Sequence, residues 1–267
     1  MGVLDYIQRL LGGQNAASGP QRNANGRQGL AGQNAENFPF KVTAYSAIKA
    51  VKEQARLNAV PGQSAVLVGD DEALERLSDV FSGLGMEDIA AQDPAELIRQ
   101  ARDIVPARDI FAIAKGYSEA DYKQMLEDLR GEIPDEVAGN TVGPLALYDL
   151  VNNKLLKHVN IIVLPTDDVL EVIAHMRWGG WNDNPGAPVH MAALQHWRDR
   201  YGAELVALGP DSIELKVAHR PQTQEEALAL AIEHLTYCPD IVTQGVGSID
   251  ALAATLMQSD WWYFWWD

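Results

Sequence analysis

The chain has a single cysteine, Cys238, so no internal disulfide can form. Such sparing use of cysteine suits a reducing compartment, and a cytoplasmic location is expected. No stretch approaches the roughly 20 apolar residues of a membrane-spanning helix, so no integral span is expected. The start, "MGVLDYIQRLLGG", lacks the basic lead and long apolar run of a secretory signal, and Tyr6 stands where a myristoylation signal has Ser or Thr. Positive charge is scarce. Lys and Arg number 21 against 37 Asp and Glu, a net charge of −16. That balance argues against sequence-independent nucleic-acid binding, which needs cations on phosphates. It also disfavours docking on anionic lipid, while a basic protein partner remains compatible with it. Catalytic signatures are missing too. There is no "GxxxxGK" phosphate loop, "GxGxxG", "HExxH" or "GxSxG". No metal and no cofactor is expected.

What the chain does have is an ordinary apolar content, 47% of 267 residues, enough for one large domain or two smaller ones. Residues 1–11 place Val3, Leu4, Ile7, Leu10 and Leu11 at helical spacing before Gly12-Gly13, a short amphipathic helix. So short a helix needs something to lie against, either its own chain, a second copy, a partner or a membrane. Residues 12–37 are rich in Gly, Asn, Gln and Ala and read as a flexible linker. From Phe38 onward helical and strand patterns alternate. "KVTAYSAIKAVKEQARLNA" reads as a helix, "SAVLVG" and "HVNIIVLPT" as buried strands, and "AELVAL", "GPD", "SIELKVAHR" as a hairpin. Asp93, Ser118, Thr223 and Ser248 stand where helix N-caps belong, and Asp70 and Asp71 open a helix with acidic residues at its positive end. The polar stretch 131–145 divides an N-terminal α/β region, 38–145, from a C-terminal domain, 146–267. All seven Trp lie beyond residue 177 and all six His beyond 157.

Two stretches carry the candidate binding residues. In "RWGGWNDNP", the Gly pair permits close approach or positive φ, and Asn and Asp favour turns. The stretch reads as a turn plugged by two indoles or as the rim of a ligand or partner site using Trp178, Trp181, Asn182 and Asp183. In "EHLTYCPDIVTQG", His234 and Cys238 are one helical turn apart, but with Asp240 they fall short of a closed metal site. A helix ending at Pro239, with Cys238 buried and Asp240 capping the next turn, is the structural reading. A binding reading adds Cys238, Asp240 and Gln244 to the rim. His190 and His196 are six apart on one helix and read as core or surface histidines.

The blocks "GGWNDNP", "HWRDRYGAELVAL", "EEALALAIEHLTYCPDIVTQG" and "LAATLMQSDWWYFWWD" stand in series. In this order and spacing they resemble the bacterial family called domain of unknown function 4253, over about residues 160–267. The resemblance implies an α/β fold for that stretch and no established reaction. A looser resemblance extends upstream through "VLVGDDEALERL".

The fold class expected is α/β, a mixed sheet packed with helices. Six of the last seven residues, Trp261 to Trp266, are aromatic. Alternation would make them a strand apolar on both faces, which belongs in the centre of a covered sheet. For function two readings stand. One is a non-catalytic interaction protein of the immunity or adaptor type that binds another protein. The other is an enzyme or small-ligand binder with a site between "GGWND" and "YCPD".

Overall fold

Short apolar or alternating runs build the strands of one six-stranded sheet. A computed structural model describes residues 38–82, 87–112, 117–133 and 143–267. The expected helix at 1–11, the linker at 12–37 and most of the loop at 131–145 lie outside the described residues. The strands are β1 (Lys41–Tyr45), β2 (Ser64–Gly69), β5 (Val159–Leu164), β6 (Glu204–Leu208), β7 (Ser212–Lys216) and β8 (Trp261–Trp265), in the order β1-β5-β2-β6-β7-β8. β3 (Tyr148–Asp149) and β4 (Lys154–Leu155) form a separate small hairpin. The six-stranded sheet is mixed, since β2 and β6 run parallel while the other neighbours are antiparallel. β2 and β5 are buried at every position, as expected of continuous apolar runs covered on both faces.

Helices cover both faces. α1 (Ala47–Asn58) packs on one face, over Ala65, Leu67, Ile161 and Ala207. The opposite face carries α2 (Asp71–Ser82), α3 (Pro94–Asp103), α5 (Glu171–Met176), α6 (Ala187–Tyr201), α7 (Gln224–Tyr237) and α8 (Ile249–Gln258), and encloses the larger core. α4 (Glu119–Asp128) lies outside α7. The helix starts follow their caps. The side chains of Asp93, Ser118, Thr223 and Ser248 accept from backbone N–H groups of the first turn, and Asp70 Oδ1 accepts from Ala73 N.

The weak junction of the sheet is the parallel one, where β2 and β6 share a single register pair, Leu67 with Ala207. Buried Gln54 of α1 spans it, donating to Ala65 O at 3.1 Å and Val206 O at 2.7 Å. Asn58 adds a second clamp on Ala65, accepting from its N–H and donating to its carbonyl.

Two expectations need correction. The single helix read over 41–59 is a strand followed by a helix. Val42, Thr43 and Tyr45 are residues that favour pleated backbone, and β1 pairs along its whole length with β5 before Ser46 turns the chain into α1. The aromatic strand is in the sheet, but at its edge rather than its centre, bonded among the described strands to β7 alone. Only its inward row, Trp262, Phe264 and Trp266, is buried; Trp261, Tyr263 and Trp265 are half-covered. The outer edge is blunted by side chains. Ser259 exchanges hydrogen bonds with the Trp261 backbone, and Trp265 O accepts from Cys238 Sγ.

Glu214 is the one acidic side chain of β7, and it is buried at 5% exposure beneath the segment 143–147. Its two carboxylate oxygens accept from the N–H groups of Leu145 and Ala146. Burial nevertheless outweighs those two bonds and raises its pKa to about 7. The fold therefore binds a proton more tightly than the unfolded chain does. The resulting stability, about 3 kcal/mol, is fully present below the ordinary carboxyl range and is lost as pH rises through 7. His190 and His234 act in the opposite sense. Their buried rings have pKa values lowered to about 3, so they cost stability as pH falls below the ordinary imidazole value. Those histidine contributions cancel when wild type and Glu214→Gln are compared. The difference in melting temperature between the two proteins is expected to change between pH 5 and pH 8, with wild type losing relative stability at the alkaline end. Parallel curves would refute the assignment.

Candidate functional site

The turn after α5 is built from left-handed residues. Arg177 closes the helix at φ 51°, and Gly179, Gly180 and Asn182 follow at φ 98°, 90° and 49°. Only glycine adopts such angles freely, and Asn tolerates them better than most. Gly179 is also a close-approach position. A Cβ there would lie 2.2 Å from Pro185 O and 2.7 Å from His190 Nε2, whereas one on Gly180 would meet nothing nearer than Ile89 Cδ1 at 4.0 Å.

Beneath the turn is a sealed polar knot. His190 is fully buried, with Nε2 2.7 Å from Asn184 Oδ1 and Nδ1 2.5 Å from the Tyr237 hydroxyl. An amide oxygen only accepts, so Nε2 carries the proton and Nδ1 accepts from Tyr237. The ring is neutral because burial holds its pKa at about 3. Trp178 and Trp266 pack against it with ring centres 4.8 and 5.2 Å away, and the Trp178 indole donates to Gly209 O at 2.8 Å. The second histidine, His234, is wedged among Trp197, Trp262 and Phe264.

The far side of the knot is the end of α7. Cys238 is buried, its thiol donates to Trp265 O at 3.0 Å, and burial pushes its pKa well above the ordinary thiol value. Such a thiol is not a nucleophile near neutral pH. α7 ends at Tyr237, and the chain continues after Pro239 in a wide turn, Ile241–Val246. Asp240 does not cap that turn with its side chain, as the sequence suggested. Instead Oδ2 accepts from Asp267 N at 3.2 Å and Oδ1 from Gln244 Nε2 at 2.8 Å. From the other side Asn182 Nδ2 donates to Asp267 O at 3.3 Å.

The structure thus brings the seven sequence candidates to one place, the end of β8, and sorts them by depth. Trp178 and Cys238 are sealed inside; Trp181 and Asp240 are half-buried; Asn182, Asp183 and Gln244 are exposed. Sequence reading missed His190, Asn184, Tyr237 and Gly179 as one unit. The signal was a His on one helix, and its partners come from the turn and from the end of α7. Among the described residues, no group of three His, Cys, Asp or Glu side chains is placed to hold a metal ion. None of the seven lines either of two surface clefts. A cleft of about 300 Å³ lies between α3 and α6, with Asp168, Glu171 and His196 at its polar rim. A groove of about 430 Å³ lies between α4 and the end of α7, and it borrows Leu235, Thr236, Pro239 and Thr243 from the same stretch as Cys238 and Asp240.

Comparison with known families places these blocks. Residues 160–267 match the family described as Domain of unknown function (DUF4253). No curated protein and no solved structure matches the chain. The DUF4253 stretch contains the turn, the knot, Cys238 and β8, yet it does not complete its own sheet. β2, from residues 64–69, fills the position between β5 and β6. No helix among the described residues is long and apolar enough to cross a membrane.

The knot makes two predictions. Gly179→Ala combines a positive φ with two overlaps and is expected to cost about 3 kcal/mol or more, against about 1–2 kcal/mol for Gly180→Ala, where only the φ penalty applies. Chemical unfolding of the two variants checks the order. For Cys238, a thiol reagent is expected to label the native protein only at the rate of unfolding. Rapid labelling with a midpoint below the ordinary thiol pKa would contradict the burial.

Proposed function

We propose that this chain is a non-catalytic interaction protein, of the immunity or adaptor kind, which binds another protein with the surface around the end of β8. The observation that carries the reading is the division by depth at that place. The groups with reactive potential, Cys238, His190 and Tyr237, are packed under aromatic rings with their hydrogen bonds directed at one another or at backbone. The groups that face outward are a half-exposed indole, an amide and carboxylates: Trp181, Asn182, Asp183 and Asp240. A rigid aromatic beside polar groups is a composition that suits protein recognition. The net charge of −16 favours a partner with basic character by steering its approach.

The test is capture of partners from an extract of cells that express the protein, comparing wild type with the double variant Trp181→Ala, Asp183→Lys. Asp183 is exposed and Trp181 half-exposed, so the variant is expected to melt cooperatively like wild type. A protein held by wild type and released about 10-fold or more readily by the variant is the expected result. Partners retained equally by both, or a small molecule co-purifying in their place, would overturn the reading.

A further inference from the structure

The groove beside the end of β8 has a chemistry of its own. Its floor is apolar, formed by Met125 and Leu129 of the α4 segment and by Leu235 and Pro239 at the end of α7. Its rim carries Asp121 and Asp128, and among the described residues no Lys or Arg lines it. Among the described residues both carboxylates accept from neutral neighbours, Asp121 from the Ser118 hydroxyl at 2.6 Å and Asp128 from Gln124 Nε2 at 2.8 Å. Their charges are therefore available to a visitor.

The walls are fixed in advance. Tyr122 on the inner side of α4 shares a hydrogen bond of 2.7 Å with Thr236 of α7. Beyond the helix, Leu129 O accepts from Ile249 N at 2.9 Å, and Arg130 grips Asp250 with two bonds of 2.7 and 2.6 Å. The Arg130 guanidinium holds the Asp250 carboxyl below its ordinary pKa, so the clamp stays charged near neutrality. A groove whose walls do not have to be ordered on binding loses less affinity to entropy.

We infer that this groove receives a short amphipathic helix of the protein partner, with its apolar stripe on Met125, Leu129, Leu235 and Pro239 and with Lys or Arg side chains reaching Asp121 and Asp128. The inference rests on the interaction reading above and names the partner's chemistry. Charge complementarity selects the occupant, since the carboxylates of Asp121 and Asp128 attract a basic helix and repel an acidic one. The apolar floor between two helical walls selects the shape, since anchors at i, i+3, i+4 and i+7 lie along one stripe. α4, with ten residues, spans about 15 Å. That matches two to three turns of a partner helix.

The probes are two synthetic peptides of about twelve residues with the same Leu stripe, one with Lys and one with Glu on the polar face. Fluorescence anisotropy on the full chain is expected to show binding of the Lys peptide, weakened by salt, and none of the Glu peptide. Asp121→Lys with Asp128→Lys is expected to weaken the Lys peptide at least about 10-fold. The control pair Glu96→Lys with Asp103→Lys changes the net charge equally on α3, away from the groove, at half-exposed Glu96 and exposed Asp103, and is expected to change binding less than about 2-fold. Thr243→Trp, which fills the groove from an exposed position, is expected to abolish binding without a change of charge. Hydrogen exchange on the wild-type chain is expected to show protection over 119–128 and 235–243 when the Lys peptide is present. Equal weakening by both charge pairs, unaltered binding by Thr243→Trp, protection elsewhere, or no binding of the Lys peptide would each overturn the groove assignment. These outcomes are separable from the interaction reading. A partner still captured in a Trp181- and Asp183-dependent way while the peptide fails would leave that reading standing and remove only the groove.

Discussion

Phe264 of β8 lies against the Trp197 indole of α6 with the two rings parallel to within 1° and their centres 5.3 Å apart. Both are fully buried, and the C-terminal side of the molecule is assembled around them. Tyr237 and His234 from α7 meet the same indole edge-on at 5.1 and 4.7 Å, and Trp262 closes the ring at 6.0 Å. The only polar atom of Trp197 reaches out to Glu233, which also pairs with Arg200 at 2.6 Å. One aromatic contact thus joins the edge strand, the longest helix on that face and the helix that ends at Tyr237. Large rings contribute the most apolar area per residue, and edge-on geometry adds to it. That is why a strand at the border of the sheet can be so well held.

The same contact sets the geometry of the binding surface. With Phe264 seated, the alternation of β8 places Trp266 two residues on in the pocket of Trp178, His190 and Tyr237. Asp267 then falls between Asp240 and Asn182. The turn at 178–184 and the end of α7 are held at opposite sides of one strand end, which is a rigid way to present loop residues. Rigid elements with exposed polar tips are the usual support for recognition sites.

Much of this was legible beforehand, and what was missed was missed for physical reasons. Helix starts at Asp93, Ser118, Thr223 and Ser248 are local events, decided by a side chain and an N–H two or three residues away, and they read correctly. β2, β5 and the β6–β7 hairpin announced themselves as apolar or alternating runs. β1 did not, because five residues with no turn before the next helix merge into its period. The edge position of β8 was hidden because aromatics on both sides of a strand signal burial on both sides, while here the outward row is only half-covered. At the site, the glycine pair and the Trp, Asn and Asp beside it were visible as a special turn. The His190, Asn184 and Tyr237 knot was not, since nothing in a linear pattern says which of six histidines will find a hydroxyl 47 residues away.

The strand order has a consequence for how the molecule comes to be. β5 sits between β1 and β2, and β2 between β5 and β6, so adjacent strands are separated by roughly a hundred residues of chain. Pairings of that span form late and slowly, because the loop must close before any bond rewards it. Until β2 arrives, β5 and β6 present unpaired edges and bare apolar faces, the condition under which chains associate with one another. In the folded sheet the side-chain amide of Gln54 reaches across the seam between β2 and β6 and ties Ala65 to Val206. A stretch cut to residues 160–267 alone would keep the aromatic contacts among β8, α6 and α7, lose the stacking of Phe111 on Trp197, and carry a slot in its sheet where β2 belongs.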